Sequence, residues 1–197
     1  MKVPARFAAA VVAPALLAGC GVNAVPTAEE NAKARWADVQ AAYQRRASLI
    51  PNLEATVKGA AASEQKILVG VTEARAKATQ IQLRPEDLSD PQKVQQYAQA
   101  QGQLSAALVQ LRPLQEQYPD LKSQANFSTF MSQLEGTENR INVAITDYNT
   151  AVQQYNTMIR TFPNAIGAKV FYGAKPMVPY QATTPGAENA PKVNFGA

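Results

Sequence analysis

The sequence predicts an all-α protein with about four long helices, a short C-terminal helix and a disordered tail. Three observations indicate this fold class. Apolar residues recur at alternating steps of three and four, which places them on one face of a helix. Alanine and glutamine are abundant and glycine is scarce inside the periodic stretches, a composition that favours helix. Prolines and other turn residues separate the periodic stretches.

The first twenty residues, MKVPARFAAAVVAPALLAGC, have the pattern of an export signal. Lys2 and Arg6 precede an apolar run at 7–19, whose length suits a secretory signal and is short of the about 20 residues of a spanning helix. The sequence LAGC at its end resembles the lipobox of bacterial lipoproteins. We expect residues 1–19 to be a signal peptide, removed before Cys20 is lipidated.

The expected location of the protein follows from the lipidation of Cys20. Each buried methylene contributes about 0.8 kcal/mol, so several acyl chains at Cys20 would anchor the protein stably. Gly21, rather than an aspartate, follows the cysteine and resembles the default for outer-membrane delivery. We therefore expect a protein of the bacterial cell envelope that faces the periplasm, at the outer membrane rather than the inner one. The alternatives are an uncleaved N-terminal anchor and a Cys20 that is merely a small buried residue.

Composition excludes several classes of function. The chain has no histidine and one cysteine, which excludes His/Cys zinc sites, Ser-His and Cys-His catalytic pairs and an internal disulfide. Without residues 1–19, 17 basic residues face 15 acidic ones, too even a balance for a nucleic-acid partner. We expect no metal or cofactor, because no phosphate-binding or calcium-binding loop occurs. Basic and acidic residues are interspersed, so no dedicated membrane-binding face is expected either.

The first helical stretch follows a short tether at 20–26. Thr27 and Glu30 match a capping box, which predicts that the helix begins there. Pro51 should kink this helix rather than end it. The three-four alternation predicts one buried face that comprises Trp36, Val39, Tyr43, Arg46, Ile50, Leu53, Val57 and Ala60.

A break is expected at residues 58–65, where Gly59 precedes a run of small residues and Ser63 can cap a second helix. That helix would bury Ile67, Val71, Ala74 and Ala78. The periodicity runs through the break, so one continuous helix is the alternative. We favour the turn, because a helix of about 80 Å would find no partner of equal length in this chain.

Two further helices complete the pattern. Asp90 and Pro91 supply a cap and a first-turn proline for the third helix, and the YPDL sequence at 118–121 predicts a turn after it. The fourth shows the most regular alternation in the chain, from Phe127 to Met158. A short apolar piece follows FPN at 162–164. Residues 174–197 hold four prolines and lack periodicity, so we predict that they are disordered.

Three groups of polar residues interrupt the apolar faces: Arg45 with Arg46, the sequence EGTENR at 135–140, and TEAR at 72–75 with Lys77. One interpretation is a patch for a ligand or partner. We favour an internal ion-pair network that sets helix register, because buried charges persist only when paired. Gly136 could mark a close helix crossing. The residues expected in the network are Arg46, Glu135, Glu138 and Arg140.

Long blocks at 36–59, 71–79 and 118–164 closely resemble the LemA family. The resemblance implies an antiparallel up-and-down bundle of four helices, here residues 27–173, outside the cytoplasm on an N-terminal membrane anchor. The LAGC sequence stands where many members have a transmembrane helix. KGAAASEQ at 58–65 also lacks the histidine usual there. The family implies no enzymatic activity that can be transferred.

The sequence therefore favours a non-catalytic scaffold or interaction module, held at the membrane by its lipid and binding an unknown envelope protein. The alternative is a carboxylate enzyme with Glu135, Glu138 or Asp147 as acid and base. It would need two carboxylates that converge on a cleft. Self-association through exposed helix faces would make the protein a homo-oligomer.

Overall fold

The computed structural model describes residues 23–56, 62–113 and 125–182, and the regular structure in these ranges is entirely helical. Cys20, the predicted signal peptide, Val57, Ala60 and Tyr118 lie outside the described residues. Within those ranges no helix combines the length and the hydropathy that crossing a membrane requires. In chain order the helices are α1 (Ala24–Thr56), α2 (Ala62–Gln80), a 3-10 helix (Pro85–Ser89), α3 (Pro91–Val109), α4 (Ala125–Met158) and α5 (Asn164–Val170).

Helix α1 begins earlier than the sequence predicted. Thr27 is not its cap, because the helix already starts at Ala24 and the Thr27 hydroxyl donates to the carbonyl of Asn23 at 2.8 Å. Burial of the Val25 side chain in the core accounts for the earlier start. Residues 24–26, assigned to a tether, are therefore helical. Helix α1 continues through Pro51, as predicted.

The predicted faces of α1 and α4 are confirmed as core. In α1, the six described members of the predicted face, from Trp36 to Leu53, are all buried. In α4, nine of the ten residues that continue the three-four alternation are buried and Met158 is partly buried. The nine are Phe127, Phe130, Leu134, Thr137, Ile141, Ala144, Tyr148, Ala151 and Tyr155. One buried cluster surrounds Trp36 and another lies toward Leu53. The two clusters share α1, α3 and α4, which are therefore packed along most of their length.

Helices α1 and α2 are separate elements that pack against each other, so the alternative of one continuous helix is wrong. Between α2 and α3, the backbone carbonyl of Leu83 accepts hydrogen bonds from Trp36 Nε1 at 3.2 Å and from Gln40 Nε2 at 2.9 Å. These bonds hold the linker against α1. Asp90 caps α3 as predicted: its Oδ1 accepts the backbone N–H of Gln92 at 2.9 Å.

The direction of packing can be read from individual contacts. In α1 and α4, Trp36 packs against Tyr148 and Arg46 bonds to Glu138, so later residues of α1 meet earlier residues of α4. Between α1 and α2, Arg75 reaches the backbone of Ala47. The end of the molecule that holds the start of α1 therefore also holds the end of α4.

The prediction of a disordered tail from residue 174 is wrong for residues 174–182. Met177 and Tyr180 are among the buried core residues, and the backbone N–H of Val178 donates to the carbonyl of Leu88 at 2.8 Å. The segment forms neither helix nor strand, and hydrogen bonds to side chains of α4 and to the carbonyl of Leu88 hold it in place. Residues 183–197 lie outside the described residues.

Candidate functional site

The candidate site is centred on Arg46, which α1 carries on its apolar face and whose side chain is 1% exposed. One terminal nitrogen donates to Ser105 Oγ at 2.6 Å and Glu138 Oε1 at 2.9 Å. The other donates to Oε1 of Gln101 at 2.9 Å and to its backbone carbonyl at 3.2 Å. The guanidinium carbon lies 4.9 Å from the centre of the Tyr43 ring. Arg46 thereby links α1 to both α3 and α4.

Among the side chains whose burial the structure describes, Arg46 is the only buried charged one. A buried guanidinium is stable only when a carboxylate and other acceptors replace its water. Glu138 supplies the charge, and its own side chain is 39% exposed, so part of the carboxylate keeps its solvent. The Arg46 Nε atom is buried without a partner.

A groove beside this cluster has a volume of about 350 Å³ and is open to solvent. Its described lining carries no charged residue. Amides of Gln40, Gln44, Gln82 and Gln101 and the rings of tyrosines supply its polar groups. Such walls can hold a neutral hydrogen-bonding group, but they offer no acid or base for catalysis at neutral pH.

A cluster of five aromatic rings contributes Tyr43 and Tyr97 to the wall of this groove. Trp36 packs edge-on against Tyr97 and Tyr148, and Tyr43 against Tyr97 and Tyr180, with ring centres 5.2 to 6.1 Å apart. Burial raises the pKa values of Tyr43, Tyr97, Tyr148 and Tyr180 above the usual range, since a phenolate would lose its hydration. The hydroxyls of Tyr43 and Tyr180 lie 2.9 Å apart and bond to each other.

The other residues of the predicted network lie elsewhere. Glu135 is 3.5 Å from Arg112, and both side chains are 65% exposed. Arg140 is exposed on α4. Gly136 does not mark a close crossing, because it is exposed and a Cβ atom added there would meet no atom within 4 Å. The structure thus brings together Arg46 and Glu138 but not Glu135, which lies one turn earlier on α4, or Arg140, which helical geometry directs to another side of α4.

In the third polar group, TEAR at 72–75 with Lys77, one charged side chain contacts another helix and the others are exposed. Arg75 is partly buried, and its Nε donates to the backbone carbonyl of Ala47 at 2.9 Å. Glu73, Lys77 and Arg45 are exposed. Within this sequence Arg75 thus bonds to the neighbouring helix, and Ala74 packs against the core cluster that includes Leu53.

The three carboxylates of the alternative enzyme hypothesis do not converge. Glu138 is paired with Arg46, Glu135 with Arg112, and Asp147 is exposed nine residues further along α4. Nine residues correspond to about 13 Å of helix rise. The described residues also hold no group of three or more side chains suited to binding a metal ion.

Sequence reasoning missed two asparagines that hold the extended segment 174–182. Asn149 donates to the carbonyl of Tyr180 and accepts its N–H, both at 2.8 Å. Asn156 binds the backbone of Met177 in the same way, at 2.8 and 2.9 Å. Seven residues of a helix and three residues of an extended chain both span about 10 Å. The spacing of the two asparagine amides on α4 therefore matches the spacing of the peptide groups of Met177 and Tyr180. The sequence did contain an indication of these contacts, because the two asparagines are seven residues apart and lie beside the apolar face of α4.

Comparison with models of known protein families gives a match for this chain. The model of the LemA family matches residues 35–195, which includes every helix except the start of α1. No curated protein matches the chain.

Proposed function

The chain belongs to the LemA family, and on this premise we propose that it is a non-catalytic interaction module of the bacterial envelope, lipid-anchored at Cys20. The helices would form an antiparallel up-and-down bundle that faces the periplasm and binds a further envelope protein. The opposite directions of α1 and α4 and the packing of α2 on α1 and α3 support this arrangement.

The main support for this proposal comes from the contacts of the polar groups in and beside the core. Arg46 contacts groups of its own chain, and the neighbouring groove offers amides and neutral phenols. The three candidate carboxylates are paired or exposed. An interior of this kind stabilises helix register, and it leaves the outer surface as the place where a partner would bind.

The proposed anchor fits the point at which the helices begin. Only residues 21–23 separate Cys20 from the first residue of α1. The four residue steps from Cys20 to Ala24 reach about 14 Å at most. The bundle would therefore lie close to the membrane rather than on a long flexible stalk.

Intact mass spectrometry of the membrane-extracted protein tests the anchor. The expected mass corresponds to a chain that begins at Cys20 and carries acyl chains, and Cys20→Ser should abolish both the cleavage and the acylation. A native protein that retains residues 1–19 and carries no lipid would refute this part of the proposal.

Capture from detergent-solubilised membranes tests the interaction role. A partner in fixed stoichiometry is expected with the acylated protein. Light scattering over a concentration series would show whether that partner is a second copy of the chain. Repeated recovery of the protein alone and as a monomer would contradict the role.

A further inference from the structure

Large apolar side chains are concentrated on the surface around α5. Of the nine exposed large apolar side chains in the described residues, five lie within residues 162–172, and the other four are single aliphatic residues elsewhere. Phe162 is 82% exposed, Phe171 69% and Val170 68%. Exposed apolar patches of this kind mark interaction surfaces rather than cores. We call this set the α5 patch: Phe162, Ile166, Val170, Phe171 and Tyr172.

The orientation of α5 explains the exposure. The helix buries its small residues, Gly167 and Ala168, toward α1 and the main core. Ile166 and Val170, four residues apart, share the opposite, outward face. A helix that serves only to cover the core would bury its large apolar residues instead.

The segment that carries the patch has charge of one sign, and the acidic residues near it, Glu29 and Glu86, line the cavity that Tyr172 and Lys175 border. Residues 159–182 contain three basic residues, Arg160, Lys169 and Lys175, and no acidic one. All three are exposed. An apolar face bordered by cations has the composition of a segment that binds anionic lipid surfaces.

The patch also lies at the end of the molecule where the anchor would be. Met158 at the end of α4 borders the same surface cavity as Asn23 and Ala24, and α5 packs against α1. Cys20 is three residues before Asn23, so its Cα lies within about 11 Å of that residue. A lipid attached there would bring the α5 patch to the bilayer surface.

We propose that the α5 patch is a membrane-docking face: Phe162, Val170 and Phe171 enter the boundary between headgroups and acyl chains, and Arg160, Lys169 and Lys175 contact lipid phosphates. The inference rests on the proposed anchor and adds a second attachment that orients the bundle. It revises the sequence-based expectation of no membrane-binding face, which came from the interspersion of basic and acidic residues along the chain.

The test uses the acylated full-length product, in which Cys20 is blocked by its thioether. A cysteine introduced as Phe171→Cys is then the single free thiol and takes an environment-sensitive fluorophore. The protein is reconstituted in vesicles of phosphatidylethanolamine and phosphatidylglycerol that carry a bromolipid quencher. Val170→Cys is a second reporter, and Val143→Cys, an exposed valine in the middle of α4, is the matched control.

The labels at 170 and 171 should shift to the blue and be quenched several-fold more than the label at 143. Replacement of phosphatidylglycerol by phosphatidylcholine should weaken the quenching. Equal quenching at the three positions would overturn the inference, as would a blue shift at 171 that depends on protein concentration and not on lipid, the result expected for contact between two copies.

If Cys20 is not lipidated, the experiment gives a result that differs from failure of the docking face. Mass spectrometry of the same preparation reports acylation directly. If Cys20 proves unmodified, the labelled Cys20→Ser chain is added to preformed vesicles: preferential quenching at 171 retains the docking face, and its absence refutes it independently of the anchor.

Discussion

Arg75 donates its Nε–H to the backbone carbonyl of Ala47 at 2.9 Å, four residues before Pro51. In a regular helix that carbonyl would accept the N–H of residue 51, which proline lacks. The side chain from α2 therefore supplies the hydrogen bond that the sequence of α1 removes. This contact explains how α1 runs through Pro51, and it joins the first two helices.

Arg75→Met should destabilise the protein by about 1–3 kcal/mol, because the carbonyl of the buried residue Ala47 loses its donor. In the Pro51→Ala background the same substitution should cost less than about 1 kcal/mol, since the N–H of residue 51 then replaces the guanidinium. Urea unfolding followed by the emission of the single tryptophan, Trp36, measures all four members of the cycle. Equal costs in both backgrounds would contradict the explanation.

Glu138→Gln should destabilise by about 1–3 kcal/mol, because it removes the carboxylate from a guanidinium that is 1% exposed. Glu135→Gln is the matched control on the same helix. Its ion pair with Arg112 is exposed, so its cost should stay within about 0.5 kcal/mol. Similar losses from the two substitutions, measured by the urea midpoint, would show that the buried pair contributes nothing specific.

Asn149→Ala should cost about 1–3 kcal/mol, since it leaves the N–H and C=O of Tyr180 unpaired. Asn156→Ala should have a similar effect through Met177, and the exposed Asn139→Ala should have almost none. Hydrogen exchange at the amides of Met177 and Tyr180 provides a local readout. Unchanged protection in the first two variants would mean that the asparagines do not hold the segment.

Folding stability should fall as pH rises above about 10, the usual pKa of tyrosine in an unfolded chain. Burial raises the pKa values of Tyr43, Tyr97, Tyr148 and Tyr180 in the folded protein. Below pH 10 both states are protonated and the contribution is complete; above it, only the unfolded state releases protons, which favours unfolding.

Urea midpoints measured between about pH 8 and pH 11 test this decline. Tyr180→Phe should make the loss of folding stability with rising pH less steep, because it removes one hydroxyl whose pKa is raised by burial. Phenolate absorbance of the folded protein should show fewer titrating tyrosines than the urea-unfolded chain. Identical titration curves in the two states would refute the prediction.

Much of the fold could be predicted because it depends on spacing along the chain. The apolar faces of α1 and α4 follow from helical geometry, and Asp90 with Pro91 indicated the start of α3. The start of α1 could not be predicted in this way, because the burial of Val25 depends on the helices that cover it.

The candidate site was predictable only in part. Arg46 was recognisable as a charge on an apolar face, but Glu135 and Glu138 are three residues apart on one helix. Only the register of α4 against α1 determines which of them Arg46 meets. The asparagine contacts with segment 174–182 join residues 21 and 31 positions apart and have no local signature in the segment itself.

The sequence by itself determined the helical class, the buried faces of α1 and α4 and the presence of an unusual charge in the core. Each of these follows from backbone periodicity and from the cost of burying charge. Tertiary structure alone decided the partner of Arg46, the donor for the Ala47 carbonyl, the order of segment 174–182 and the outward face of α5. These features depend on the positions of distant elements relative to one another, which local spacing does not specify.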